Sequence, residues 1–436
     1  MGWGNVSRSA SWVAVVALCL AAAGSASAVP FFQGMGTLSA GFSSLARGLS
    51  PDGTLVLGGS ANQAAVWTQA GGLVGLGLVP DVGIVSSAVD ASADGSVIVG
   101  VSVEAVGREA MRWTQAGGMV GLGDFAGGAY DSEARGVSAD GSVVVGYGTT
   151  DEGSMAFRWT EADGMVPLGD LPGGLVHSQA YGVSADGSIV VGVSYAAQGW
   201  RAFLWTEAGG MVSLCDLPAG VTGSDARAIS ADGSHVAGVC IIAGGGYQAF
   251  LWSQAAALVP LGDLPGGIVN SQAFGLSDDG SVVVGIDFSS GSDFQAFCWT
   301  EAGGMRSLYD VLVDDYGLSL EGWSLQVANA VSSDGKVIVG QGRNPSGRGE
   351  GWIANLRTEP IPEPASLTLL ALGGLGLLAR RRARSTPPEV RSTAMVNPGP
   401  TMARREPVID AGARLRRRPD IASRSRSEAS GLVFTQ

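Results

Sequence analysis

One unit of about 46 residues recurs seven times along the chain, and this repeat limits the possible folds more than any other feature. Each copy contains the string Ser-x-Asp-Gly. The marker aspartates are Asp52, Asp94, Asp140, Asp186, Asp232, Asp279 and Asp334. A tryptophan follows each of them, at Trp67, Trp113, Trp159, Trp205, Trp252, Trp299 and Trp352. Because two markers keep the same register through seven copies, the sequence predicts a repeat architecture.

Four short strands are predicted within one unit. In the copy that starts at Ser178, they cover residues 179–184, 188–194, 202–206 and 211–214. Asp186-Gly187 forms a tight turn between the first two, since glycine accepts a positive φ. Four antiparallel strands in a unit of this length are typical of one propeller blade. The prediction is an all-β, seven-bladed β-propeller over residues 29–357.

The two ends of the repeat favour closure into a ring. Residues 31–38 resemble the fourth strand of a unit, such as residues 119–123, although they precede the first Asp-Gly turn. The last unit ends at residues 352–356 with its third strand and has no fourth. An N-terminal strand that completes the seventh blade would cover an edge that otherwise invites aggregation. An open β-solenoid is the alternative, and it would need special caps at both ends.

Composition supports a packed β-protein and argues against nucleic-acid binding. Glycine contributes 69 of 436 residues, and 46% of the chain is hydrophobic, enough to bury a large core. Residues 29–360 contain 33 acidic and only 12 basic side chains. A body with this charge repels phosphate groups and offers no basic surface.

The first 28 residues have the pattern of a secretory signal peptide. Arg8 provides the positive region, residues 11–23 form the apolar segment, and Ala26-Ser27-Ala28 is a small-residue cleavage site. The prediction is export with cleavage after Ala28. The apolar run is shorter than the ~20 residues of a transmembrane helix.

The other end has a three-part pattern. Pro362-Glu363-Pro364 precedes an apolar run over residues 365–379, and a basic cluster follows it, formed by Arg380, Arg381, Arg382 and Arg384. Residues 361–384 resemble the PEP-CTERM sorting signal of bacterial surface proteins. The resemblance implies an exosortase-type enzyme as a transient partner. It also implies a short hydrophobic helix that holds the protein in the membrane before processing, and a final location at the cell surface or outside the cell.

Residues 385–436 depart from that family, in which the chain stops soon after the arginines. The segment is rich in Arg, Pro and Ser and lacks hydrophobic periodicity. It is predicted to be a disordered basic tail that contributes nothing to the mature protein.

The repeat itself resembles the HAF family of extracellular repeats, which is named for a His-Ala-Phe string. The similarity lies in the Ala-Phe pairs at Phe157, Phe203, Phe250 and Phe297, each close to its tryptophan. It extends to the Leu-Gly-Asp-Leu-Pro-Gly-Gly strings that begin at Leu168 and Leu261. The family's histidine is absent from all four Ala-Phe sites. The resemblance implies an extracellular setting and no defined chemistry.

Several sets of residues resemble possible sites, but none of them predicts a defined chemistry. Five aspartates precede connections between units, at Asp124, Asp170, Asp216, Asp263 and Asp310. They could bind calcium or a glycan, but a copy in every blade favours hydrogen bonds to local turns. The same holds for the Asp-Gly turns. The repeated tryptophans are predicted to pack between blades, which leaves Trp200 and Trp323, outside the register, as weak candidates for an exposed binding surface.

Histidine and cysteine do not form a recognisable site. His177 and His235 lie in different units without partners at metal-ligand spacing. Cys215, Cys240 and Cys298 are predicted to be buried, with a Cys215–Cys240 disulfide left open. No catalytic, cofactor-binding or metal-ligating residue is predicted, and no cofactor.

The sequence therefore favours a non-enzymatic surface or matrix protein that binds or scaffolds, with an extracellular polysaccharide as a candidate partner. The alternative is a propeller enzyme that acts on polysaccharide through paired carboxylates. An active site should break the repeat with unique acids, and Asp314-Asp315 is the one such break. An ice-binding protein is less favoured, because the chain lacks a flat threonine-rich array.

Overall fold

The computed structural model describes residues 29–266, 269–290 and 293–358. The predicted signal peptide (1–28), sorting signal (361–384) and tail (385–436) lie outside these ranges. The cleavage-site and sorting residues named above lie there too, so those assignments stay predictions. No helix within the described ranges is both long enough and apolar enough to cross a membrane.

The described residues are almost entirely strands and turns. One three-residue helix, α1 (Leu308–Asp310), continues into a π-helical turn (Val311–Asp315). The strands in chain order are β1 (Phe31–Gly34), β2 (Ser44–Leu49), β3 (Val56–Ser60), β4 (Gln63–Thr68), β5 (Gly72–Gly77), β6 (Gly83–Ala91), β7 (Val97–Glu104), β8 (Arg108–Thr114), β9 (Gly118–Gly121), β10 (Ser132–Val137), β11 (Val144–Thr149), β12 (Ser154–Thr160), β13 (Gly164–Gly169), β14 (Ser178–Val183), β15 (Ile189–Ala196), β16 (Gly199–Thr206), β17 (Gly210–Ser213), β18 (Val221–Ile229), β19 (His235–Ile242), β20 (Tyr247–Ser253), β21 (Ala257–Pro260), β22 (Ser271–Leu276), β23 (Val282–Ser290), β24 (Asp293–Thr300), β25 (Gly304–Ser307), β26 (Ser324–Val331), β27 (Val337–Arg343) and β28 (Gly349–Asn355).

These strands form seven four-stranded antiparallel sheets, one for each repeat. Blades 1 to 6 each contain four consecutive strands, from β2–β5 to β22–β25, and blade 7 contains β26, β27, β28 and β1. The first strand of each blade is innermost, and each innermost strand contacts those of the two neighbouring blades. The prediction of an all-β, seven-bladed propeller is confirmed.

The N-terminal strand closes the ring. β1 pairs antiparallel with β28, from Phe31 opposite Asn355 to Gly34 opposite Trp352. The strand that pairs with β28 ends at Gly34, so it is shorter than the predicted segment of residues 31–38. Phe32 then packs edge-to-face on Trp323, with ring centroids 5.2 Å apart. The closed ring contradicts the open solenoid.

The Ser-x-Asp-Gly string builds the turn between the first two strands of each blade. In blade 4, Ser184 Oγ donates to Asp186 Oδ1 at 2.6 Å, and the Ser188 amide donates to the same oxygen at 3.0 Å. Gly187 has a φ of +73°, in the region that glycine tolerates best. Hydrogen bonds from Ser184 and Ser188 lower the pKa of Asp186. The turn aspartates therefore hold their own turns together.

A belt of hydrogen bonds links these turns around the ring. The residue between Ser and Asp donates its amide to the equivalent carbonyl of the next blade, at 2.8–3.0 Å, in the pairs Ala93–Ala139, Ala139–Ala185, Ala185–Ala231, Asp278–Ser333 and Ser333–Pro51. Between blades 5 and 6, the Ala231 amide donates instead to the Asp278 carboxylate. Between blades 1 and 2 the belt is interrupted, because Pro51 has no amide hydrogen.

Buried serines at the start of the innermost strands join neighbouring blades a second time. Each accepts an amide from the third strand of the preceding blade, at 2.8–3.2 Å, in the pairs Gly351–Ser44, Ala64–Ser86, Ala110–Ser132, Ala156–Ser178, Ala202–Ser224 and Ala249–Ser271. A buried amide needs a hydrogen-bond acceptor, and the serine hydroxyl provides one. Each of these bonds therefore fixes the position of one blade against the next.

The core lies between blades. The four phenylalanines of the Ala-Phe pairs are fully buried, whereas most repeat tryptophans are only partly buried at the edges of the same clusters. One cluster joins Val145 and Ala156 of blade 3 to Val190 and Phe203 of blade 4. The Ala-Phe phenylalanine, more than the tryptophan, is the large buried side chain of these blades.

Candidate ligand-binding site

Every innermost strand has a β-bulge at the same position. At this position the pairing with the second strand skips one residue in every blade, and these residues are Arg47, Val89, Arg135, Tyr181, Arg227, Phe274 and Asn329. A bulge re-aims the side chain of the extra residue. All seven line a central cavity of about 700 Å³. The bulges therefore form one ring of seven side chains inside the propeller.

The repeats diverge at this ring. An alanine precedes the bulged residue in every blade, yet the bulged residue itself is arginine, valine, tyrosine, phenylalanine or asparagine. Arg47, Arg135 and Arg227 come from alternate blades and bring three of the few cations of an acidic body to one space. A cavity lined by guanidinium groups and aromatic rings suits an anionic ligand.

Arg135 is held in a network of charged and aromatic groups. Its Nε lies 2.9 Å from the Glu133 carboxylate, and its guanidinium carbon lies 5.6 Å from the ring centres of both Tyr147 and Tyr181. Tyr147 donates to Glu133 at 3.0 Å. Burial works to lower the pKa of Arg135, but the Glu133 charge and the tyrosines outweigh it, so the pKa is raised.

Arg227 has a similar arrangement on blade 5. Its Nε donates to Asp225 Oδ2 at 3.1 Å, and its guanidinium carbon lies 5.1 Å from the centre of the Phe274 ring. Asp225 Oδ1 is buried and has no hydrogen-bond partner among the described residues. Burial raises the pKa of Asp225, although Arg227 opposes the shift.

Asp90 is the acidic residue of the cavity lining. Its carboxylate accepts the Val137 amide of the next blade at 2.9 Å and the Ala91 amide at 2.9 Å. Burial raises its pKa to about 6, against these two hydrogen bonds. The charge on this group therefore changes near neutral pH.

A second cavity of about 220 Å³ lies between blades 4 and 5, and we call it the rim pocket. His177, Gln179, Trp200 and Tyr247 line it, and Tyr181 and Arg227 line both this pocket and the central cavity. Trp200 makes edge-to-face contacts with His177 at 4.9 Å and with Tyr195 at 5.0 Å between ring centroids. Burial lowers the pKa of His177, which favours the neutral imidazole, although the nearby Asp170 opposes the shift.

The two tryptophans outside the register thus have different environments. Trp200 lines the rim pocket, whereas Trp323 packs against the core cluster of blade 7 beside Phe32. His235 begins β19 and shares a hydrogen bond of 2.8 Å with Ser234.

The sequence predicts that the aspartates before the connections between units bond to their own turns, and two of them show such bonds. Asp124 accepts the amide of Phe125, and Asp263 accepts the amide of Asn270, each within its own connection. Asp310 lies in α1 and not in a loop like the others. No group of three potential metal ligands occurs in the ranges that the structure describes. Asp315, from the one acidic break in the repeat, pairs with Arg306 at 2.6 Å on the exposed π-helical turn.

The three cysteines of the propeller are free thiols. Burial raises the pKa of Cys240 to about 12 and that of Cys298 to about 11. Both thiols are therefore protonated at neutral pH and are poor nucleophiles.

The comparisons with known proteins concern the C-terminus and the fold. Residues 360–382 match the PEP-CTERM protein-sorting motif. Among curated proteins, none matches the sequence. The chain is similar to solved structures of TolB from Acinetobacter baumannii (16% identity, 69% of this chain and 70% of that one, TM-score 0.42) and of dipeptidyl peptidase 4 from Porphyromonas gingivalis (12% identity, 73% and 54%, TM-score 0.40).

Proposed function

We propose that this protein is an exported, non-enzymatic protein of the bacterial envelope whose propeller binds an acidic polysaccharide in its central cavity. The PEP-CTERM motif implies export and processing by an exosortase. Within the proposal, residues 1–28 are the signal peptide, residues 365–379 hold the protein in the membrane before processing, and the propeller is of the HAF type.

One observation carries the binding role: three arginines point from bulges into a single cavity of an otherwise acidic domain. Arg47 makes no ion pair with a described residue, so its guanidinium is available to a ligand. Guanidinium groups bind carboxylates in a bidentate manner. The acidic body disfavours general attraction of polyanions, so binding requires that the ligand reach into the cavity.

A polysaccharide hydrolase is the second candidate, because one carboxyl pair does exist. Glu104 and Glu109 lie within hydrogen-bonding distance of each other, and Tyr130 donates to Glu109 at 2.7 Å. Burial, with Glu109 beside it, raises the pKa of Glu104. Retaining glycosidases hold their carboxyl groups ~5–5.5 Å apart and inverting ones farther. The carboxyl groups of Glu104 and Glu109 are in direct contact and therefore closer than this. Such an arrangement suits a proton shared between the two groups better than it suits hydrolysis.

The test is binding of alginate, a polyanion of uronic acids, to the full exported protein. We expect Arg47→Gln to weaken binding about tenfold, corresponding to ~1.4 kcal/mol. Binding should also weaken with added salt. Arg348→Gln is the matched control, because Arg348 is exposed on the loop between β27 and β28. Equal affinity of the protein for neutral dextran, or an unchanged affinity in Arg47→Gln, would contradict the proposal. Depolymerisation of alginate would favour the enzyme.

A further inference from the structure

The rim pocket has free hydrogen-bonding groups beside an aromatic surface. Arg227 donates to Asp225 through Nε, and no described residue accepts from its two terminal nitrogens. Asp225 therefore acts as a positioning residue that fixes the guanidinium and leaves its outer edge open. The Phe274 ring packs against the same guanidinium and restricts its plane. An arginine fixed in this way is prepared to bind a carboxylate with two parallel bonds.

Gln179 supplies a second free donor. Its side-chain oxygen accepts the Tyr181 hydroxyl at 2.7 Å, so the amide nitrogen is left to donate into the pocket that it lines. Hydrogen bonding to Tyr181 also fixes which end of the amide faces the ligand. Gln179 lies on β14 and Arg227 on β18, so a ligand that uses both bridges blades 4 and 5.

The remaining walls are aromatic. Trp200 is half-buried and is held by its two edge-to-face contacts, and Tyr247 is 43% exposed at the mouth of the pocket. Aromatic rings with one apolar surface and one polar group suit ligands that are apolar on one face and polar at the edge. A pyranose ring has this character, with C–H groups on its faces and hydroxyl groups around it.

We propose that the rim pocket binds one uronic acid residue, with its carboxylate on Arg227, a hydroxyl oxygen on Gln179 and its ring against Trp200. The volume of about 220 Å³ lies below the ~300–1,000 Å³ of pockets for drug-sized ligands, which suits a single sugar. This proposal rests on the proposed function, and it specifies which sugar of the polysaccharide the propeller recognises. Because Arg227 also lines the central cavity, the rest of the polysaccharide extends there.

The experiment titrates the full exported protein with D-glucuronate and D-galacturonate by calorimetry. We expect millimolar or tighter binding of at least one uronate, and at least tenfold weaker binding of D-glucuronamide and D-glucose, which lack the charge. Trp200→Ala and Arg227→Gln should each weaken uronate binding at least tenfold. Trp205→Phe, on the same strand but outside the pocket, is the control and should leave the affinity unchanged. Circular dichroism and thermal melting verify that each variant is folded.

Comparison with alginate separates the two proposals. Arg47→Gln should weaken alginate binding but leave monosaccharide binding unchanged, because Arg47 does not line the rim pocket. If alginate binds and no uronate does, or if Trp200→Ala leaves uronate affinity intact, the pocket assignment is wrong while the proposed function stands. If neither binds, both are wrong. Binding of L-glutamate as tight as that of the uronates would overturn the sugar assignment.

Discussion

Asp90 directly follows the bulged residue Val89 of blade 2. At the same position the other six blades have glycine or alanine, namely Gly48, Gly136, Gly182, Ala228, Gly275 and Ala330. Burial raises its pKa from 3.8 to about 6. Between these values Asp90 binds more protons in the folded protein than in the unfolded chain, so its contribution to stability is largest at low pH and falls as pH rises. A difference of this size corresponds to up to ~3 kcal/mol.

We expect Asp90→Asn to remove this pH dependence, because an amide keeps an acceptor for the Val137 amide without a charge. Urea unfolding of both proteins at pH 4.0 and pH 7.0 measures it. Asp186→Asn is the control: turn hydrogen bonds lower the pKa of Asp186, so its contribution to stability is lost only as pH falls below the ordinary pKa of 3.8. This variant should therefore keep the wild-type change in stability between pH 4.0 and pH 7.0. An Asp90→Asn variant with the wild-type slope would contradict the assignment.

The strand β1 completes blade 7. We expect deletion of residues 31–38 to lower the melting temperature by several degrees or more, because it removes the pairing with β28 and the contacts of Phe32 with Trp323. Calorimetry measures this. Deletion of eight residues of the tail, 429–436, is the control. A truncated protein that melts like the intact one would disprove the closure argument.

The strands of blade 4 show which parts of the fold can be predicted from the sequence. The markers predicted all four strands of blade 4 to within three residues at each end, because Asp-Gly turns and β-branched runs are local signals. The bulges were missed, since a bulge depends on the register between two strands. A signal was present, however: the residue after each alanine of the innermost strand varies from copy to copy, while the alanine does not.

The connection between blades 6 and 7 illustrates a second limit of prediction from the repeat pattern. Its longer repeat, 55 residues between Asp279 and Asp334, contains α1 and the π-helical turn, with Asp314-Asp315 as the acidic break in the repeat. Leu308, Val311 and Leu312 bury this segment against the core, so its acids face outward. Residues at the same place in two repeats can be expected to have the same structural role only if the two repeats have the same length.

The distribution of charge along the chain leads to a prediction about sorting. The acidic body is followed by a cluster of Arg380, Arg381, Arg382 and Arg384 after the predicted apolar segment. We expect replacement of all four by serine to release unprocessed protein into the medium, because each arginine is costly to move through a bilayer. Cell fractionation and mass spectrometry measure location and mass. Deletion of residues 385–436 is the control, and loss of surface retention in that control would show that the tail is functional.

The interrupted belt indicates where this ring would open first. The chain joins every blade to the next, because β1 of blade 7 leads into β2 of blade 1, and the ring is closed by pairing alone inside blade 7, between β1 and β28. The junction of blades 7 and 1 also has a belt bond to Pro51 and a serine bond to Ser44. The junction of blades 1 and 2 has its serine bond without the belt bond. Among the described residues, the junction of blades 6 and 7 has the belt bond without a serine bond, but the core cluster around Leu308 and Leu312 also joins these two blades. Reversible opening of the propeller should therefore begin between blades 1 and 2, while β1 stays paired with β28 and blade 7 remains complete.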